Sequence, residues 1–321
     1  AKAMPQGAVH GPLRRNPANP RYFTDDTGEP VFLTGSHTWN NLQDMGPDDP
    51  PMAFDWDRYL DWLTDLNHNF VRLWAWDSLC TWNPDDRVRP FPWARTGPGT
   101  AVDGKPKLDL TRFDPEHFAR LRNRVAGACE RGIYVSVMLF EGWEVHERTS
   151  TPLDWHVFAE ENNVNGMDIV ASLADGVLRD WITLDNPDVT GLQEDYVREV
   201  VQTVNGFDNV LYEVCNEAGP QSHDWQEHFV EFVRRCEAGM AKQHPVGVTG
   251  GMGPGDTWLY GSAADWISPE IHPDDVADQT WGTAPYDRGD KVIILDTDHI
   301  WGVGGDEVWA WQSFCRGYNV I

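Results

Sequence analysis

Short apolar runs recur along this chain, and most are separated by stretches whose apolar residues fall at helical spacing. Residues 69–76 (NFVRLWAW), 133–140 (IYVSVMLF) and 209–215 (NVLYEVC) read as strands, and shorter ones follow at 246–249, 264–271, 291–295 and 318–321. Residues 21–35 hold two β-rich runs around the turn cluster Asp25-Asp26-Thr27-Gly28, a hairpin leading into a buried first strand. Between the strands, Trp56, Tyr59, Leu60, Leu63 and Leu66 share one helical face, as do Leu192, Tyr196, Val200, Val201 and Val204. Trp225, Phe229, Phe232, Val233, Cys236 and Met240 form a third stripe, and a further helix is expected around 308–314. The best-marked helix begins at Asp114-Pro115, an N-cap followed by proline at the first helical position. It carries Phe118, Leu121, Val125 and Cys129 and stops at Gly132.

Eight strands alternating with helices or long loops favour an α/β fold of the (β/α)8 barrel type over an open doubly wound sheet. A length of 321 residues suits one barrel of roughly 250 residues with insertions. We therefore expect one catalytic domain over 1–321, with 1–30 as an N-terminal extension and hairpin, and with no residues left for the last barrel helix. The stretches 77–110 and 141–186 are too long for passive connectors. The first of them is rich in Pro and Gly and shows no clear period.

Composition narrows the partners. A net charge of −26 disfavours nucleic acid and anionic membranes, whose phosphates such a surface repels over about 10 Å. A neutral substrate escapes that repulsion. No stretch approaches the ~20 apolar residues of a membrane span. The opening AKAMPQGAVHG has no apolar h-region, so a signal peptide is expected to be absent or already removed. Five scattered cysteines without a C-x-x-C spacing point to reduced thiols, not to a disulfide framework or a thiolate metal site.

In a parallel barrel the reactive groups sit where a strand ends and its loop begins. The strand ends here supply His37 and Trp39, then Arg72, Trp74 and Asp77, then Glu141 and Trp143, then Asn216 and Glu217. His272 follows the sixth strand, and Asp296, Asp298 and His299 follow the seventh. Carboxylates dominate, with no G-x-S-x-G and no phosphate-cradling glycine loop. The sharpest signal is residues 210–219, VLYEVCNEAG, an apolar strand ending abruptly in Asn-Glu. A carboxylate there costs stability unless it works or is paired.

The run VLYEVCNE resembles the acid/base motif of clan A glycoside hydrolases, the retaining, cellulase-like (β/α)8 enzymes. NFVRLW at 69–74 is similar to the segment whose Arg contacts the nucleophile. EIHP at 270–273 falls where the clan places a sixth-strand His or Tyr, and KVIILDTD at 291–298 falls on the nucleophile strand. The opening RYFTDDTGEPVFLTGSHTWN resembles the start of a group of cellulase-like glycosidases related to the apiosidase-type family. The resemblance implies Glu217 as general acid/base, Asn216 on the sugar 2-hydroxyl and Asp298 as nucleophile, kept ionised by Arg72. Asp298 stands where the clan usually has Glu, and Asp296 is the alternative nucleophile.

The chemistry stands without the family, because glycoside cleavage needs one protonated carboxyl and one ionised carboxylate flanking the bond. Separations of ~5 to 5.5 Å imply retention and ~6.5 to 9.5 Å inversion, in which case Glu141 or Asp77 becomes a candidate base. Otherwise Glu141 is expected to accept from a sugar hydroxyl, and Glu213, deeper on the strand of Glu217, to belong to a buried network. No cofactor is expected. His37, His272 and His299 lack metal-ligand spacing and are assigned to substrate hydrogen bonds. A sugar-binding pseudoenzyme and a metal-dependent hydrolase are the remaining readings.

Tryptophan is abundant, with 17 residues. Trp39, Trp74, Trp76, Trp82, Trp93, Trp143, Trp155, Trp281 and Trp301 fall at strand ends or in the following loops, where flat apolar rings stack on sugar faces. Carbohydrate is therefore the expected partner, and secretion is inferred from that substrate class.

Overall fold

The computed structural model describes residues 9–251, 257–269, 289–296 and 307–321. Eight parallel strands form one sheet in sequence order: β1 (Gly35–Thr38), β2 (Phe70–Leu73), β3 (Tyr134–Glu141), β4 (Val210–Asn216), β5 (Val246–Thr249), β6 (Trp266–Ser268), β7 (Val292–Leu295) and β8 (Asn319–Val320). Thr34 bridges in parallel to Val320, and Val320 N donates to Leu33 O at 3.3 Å, so the last strand returns to the first. A buried side chain reinforces this seam. Asn319 accepts from Leu33 N at 2.8 Å and donates to Ile293 O at 3.1 Å. The (β/α)8 barrel expected from the strand count is thus formed, and a final strand of two residues suffices to close it.

Around the barrel lie α1 (Trp56–Asp65), α2 (Pro115–Glu130), α3 (Pro187–Val204), α4 (His223–Glu237), α5 (Thr257–Gly261) and α6 (Glu307–Cys315). The expected caps are in place. Asp114 accepts from Glu116 N ahead of Pro115, and Gly132 takes the left-handed conformation (φ +70°) just after α2. Such a cap contributes about 1 kcal/mol. The helices bury the predicted faces, with Leu60 and Leu63 on α1, Leu121 and Val125 on α2, and Trp225 and Phe229 on α4.

Inside the barrel, alternate residues face inward and build two unlike layers. The lower one is apolar: Phe70, Leu211, Trp266 and Ile294 pack with Leu13 and Phe23 from the N-terminal extension. That extension is a three-stranded antiparallel sheet (Arg14–Arg15, Phe23–Thr24, Pro30–Val31), the expected hairpin plus one further strand. Gly247 has no side chain because a Cβ there would lie 1.9 Å from the Trp266 ring. The layer above is polar, with Arg72, Ser136, Glu213, Thr249, Ser268 and Asp296. Burying so many polar groups requires mutual pairing, and that requirement fixes the base of the site.

The long connections carry structure that residue periodicity did not reveal. After β2, Arg87–Arg89 pairs with Asp44–Gly46, and Trp93–Thr100 pairs with Pro106–Phe113 in a bulged hairpin. Gly97, Pro98 and Gly99 interrupt that hairpin and hide its alternation. The 141–186 stretch winds through short turns and buries Val157, Phe158, Ile169 and Trp181. Among the described residues, no helix is long and apolar enough to cross a membrane.

Candidate active site

Arg72 on β2 organises the upper layer. It donates from Nε to Glu213 Oε2 at 2.8 Å, from Nη2 to Glu213 Oε1 and to Asn216 Oδ1 (2.9 Å), and from Nη1 to Asp296 Oδ2 at 2.8 Å. One guanidinium therefore ties the end of β2 to β4 and to the residue after β7. All four side chains are buried, a state that only this mutual pairing makes tolerable. Burial pushes the Glu213 carboxyl upward, against the pull of Arg72. Glu213 belongs to the buried network, as its depth on the strand implied. His37 Nδ1 lies 3.6 Å from Asp296 Oδ2. Burial holds His37 below its usual range, with Asp296 opposing and Arg72 assisting.

Glu217 follows β4 directly and is only partly buried. Its backbone is in the left-handed region (φ +43°), which re-aims the side chain at the point where the strand stops. Two glycines permit this turn. A Cβ on Gly251 would come within 2.6 Å of Glu217 Cα, and one on Gly142 within 2.4 Å of Asn216 O. Gly142 N donates to Asn216 O at 2.8 Å.

A second group of carboxyls lies beside it. Glu141, the last residue of β3, accepts at Oε1 from Asn216 Nδ2 and Trp143 N, both at 2.9 Å. Its own N–H donates to Asp77 Oδ2 at 2.8 Å, and Glu144 Oε2 accepts from Asp77 N (2.9 Å) and Ser78 N (3.1 Å). Burial pushes Asp77 up to about 7 and raises Glu141 and Glu144 well above the usual carboxyl range. Sequence reading missed Glu144. The only signal was an acidic residue three places after Glu141, which looks like solvated loop charge.

Above these groups opens a cavity of about 300 Å3, lined by Trp39, Trp74, Trp76, Trp82, Trp143, Ser150, Glu141, Asn216 and Glu217. The rings meet edge to face: Trp39 and Trp82 have centroids 4.9 Å apart, and Trp82 and Trp143 6.4 Å. Trp76 donates to Trp39 O at 2.6 Å, and Arg72 sits 4.7 Å from the Trp74 ring centre. Trp74 and Trp76 are buried, whereas Trp39, Trp82 and Trp143 are half-buried. A depression of about 340 Å3 elsewhere is walled by surface ion pairs such as Lys105–Asp49 and Arg95–Asp103.

The structure thus brings together His37, Trp39, Arg72, Trp74, Glu141, Trp143, Asn216, Glu217 and Asp296. His272, Asp298, His299, Trp281 and Trp301 lie outside the described residues. The tryptophan rim is smaller than expected. Trp93 is buried against Phe158 and Tyr196, and Trp155 packs under Arg87. Among the described residues, no three potential ligands cluster closely enough to hold a metal ion.

No family model matches this chain, and no curated protein matches it in sequence. Solved structures do match. A glycoside hydrolase family 5 mannosidase from Rhizomucor miehei superimposes with a TM-score of 0.57 at 14% identity, over 98% of this chain and 85% of that one. Endo-glycoceramidase II from Rhodococcus sp. gives 0.56 at 18% identity, over 93% and 74%. The endo-β-1,4-mannanase from Thermotoga petrophila gives 0.53 at 13% identity, over 92% and 68%. The chain therefore shares the (β/α)8 barrel fold of these glycoside hydrolases.

Proposed function

We propose that this protein is a glycoside hydrolase that cleaves O-glycosidic bonds of a neutral oligo- or polysaccharide by a two-carboxylate, retaining mechanism. The observation that carries this reading is the placement of Glu217. It stands at the wall of a tryptophan-lined cavity, beside an Asn216 that Arg72 connects to the carboxylate following β7. Glu217 is the general acid, protonating the leaving oxygen and later accepting a proton from water. Asp298 is the nucleophile, and Asp296, held by Arg72, ties the end of β7 to β2. Asn216 meets the sugar 2-hydroxyl, and the half-buried Trp39, Trp82 and Trp143 stack on the ring faces.

Burial of Glu141 raises it well above the usual carboxyl range and counts against it as the ionised base that inversion would need. Action on a polymeric sugar would place the protein outside the cell. The test is a panel of activated aryl glycosides, with NMR of the first-formed anomer. Turnover with retained configuration, lost in Asp298→Asn, supports the reading. A folded protein that binds oligosaccharide and turns over nothing in the panel would reverse it in favour of a sugar-binding protein.

A further inference from the structure

Glu141 has an environment that separates it from every other carboxyl at the site. Its Oε1 is doubly occupied by Asn216 Nδ2 and Trp143 N, while Oε2 has no hydrogen-bond partner among the described residues, although the residue is 0% exposed and lines the cavity. The described titratable groups facing it are Asp77 after β2, Glu144 after β3, Cys215 on β4, Glu217 just after it, and Arg72 on β2. Arg72, the cation in that set, already serves Glu213 and Asp296. Three buried carboxyls, Asp77, Glu141 and Glu144, thus share a site with no cation of their own among the described residues. Such groups hold protons, because an unpaired buried charge is far more costly than a neutral acid.

We propose that Glu141 meets the substrate as a neutral carboxyl that donates a hydrogen bond from Oε2 to a sugar oxygen, which makes it a specificity-determining residue of the proposed glycosidase. Its role reverses the acceptor role expected from sequence. Glu217 would then have a neighbour that adds no negative charge. The oxygen so recognised is one with a free lone pair directed at the barrel wall beside Asn216, and a deoxy sugar at that position would lose the contact.

The proposal rests on the glycosidase reading, but binding and infrared measurements test it without turnover. Sugar affinity is read by tryptophan fluorescence, and the protonated-carboxyl band by infrared difference between wild type and Glu141→Gln. Glutamine keeps a donor at the same reach, so Glu141→Ala should weaken binding about tenfold, Glu141→Gln should recover most of that loss, and one component of the protonated-carboxyl absorption should be lost in Glu141→Gln at pH 7. Should the alanine variant not fold, Glu141→Met takes its place. If glutamine is as damaging as alanine, or if no protonated band is lost, the donor role is overturned. If sugar binds as proposed while no glycoside is cleaved, the failure belongs to the glycosidase reading and the donor role stands.

Discussion

Two buried glutamates at opposite ends of the barrel behave differently. Glu237 closes α4 near the entrance of β5, on the face where strands begin. Its Oε1 accepts from His244 Nδ1 (2.6 Å), Asn205 Nδ2 (2.8 Å) and Tyr212 Oη (3.1 Å), and its Oε2 from His244 N (2.7 Å). Both of its oxygens have donors. Glu141 is equally buried at the exit of β3, yet one of its oxygens and one oxygen of Glu144 lack partners among the described residues. The entrance-side carboxylate is satisfied within the protein, whereas the exit-side one keeps an open oxygen that a ligand can complete.

The contrast can be broken by mutation. The largest effect on stability is expected from Arg72→Met, which strands Glu213 and Asp296 without their cation. A loss of about 3–5 kcal/mol by denaturant titration is expected, and a change below 1 kcal/mol would show that the upper layer does not depend on this pairing.

Asp77 gives a pH test of the exit-side cluster. Its folded carboxyl titrates at about 7, above the unfolded value of about 3.9. Between those two values the folded state binds more protons, so stability falls as pH rises from about 4 to about 7 and is level above. Asp77→Asn should remove up to about 4 kcal/mol of that decline. Identical pH–stability curves for the two proteins would mean that Asp77 is ionised in the fold.

Much of this architecture was legible in the sequence because most barrel strands are largely apolar runs, and the run of β4 ends abruptly in Asn216-Glu217. Asn216-Glu217 stood out for that reason, whereas Arg72 lies inside β2 and was marked by the lone charge in an apolar run. The hairpin in 93–113 was not, since a Gly-Pro-Gly break destroys its alternation. Nor could a strand-end position tell which way a loop turns, so Trp93 looked like a sugar contact when it is packing against Phe158. Glu144 was hidden because its two donors are backbone N–H groups of the loop after β2, a contact that exists only once both loops are folded.

Smaller effects sharpen the comparison from the entrance side. Glu237→Gln exchanges charge-assisted bonds for neutral ones and should cost about 2 kcal/mol, read by urea denaturation, with the rate per folded molecule retained. A large loss of rate at full stability would make Glu237 part of the reaction instead. At the seam, Asn319→Ala removes two buried hydrogen bonds and should cost about 1–2 kcal/mol. No change in the denaturation midpoint would mean that β8 is held by its backbone alone.

The most direct test is the rate of Glu217→Gln on an activated aryl glycoside that the wild type cleaves, measured beside its urea midpoint. The expected result is a fall in kcat of about 10²–10⁴, with the midpoint unchanged. Wild-type turnover by the folded variant would contradict the assignment of Glu217 as the acid/base.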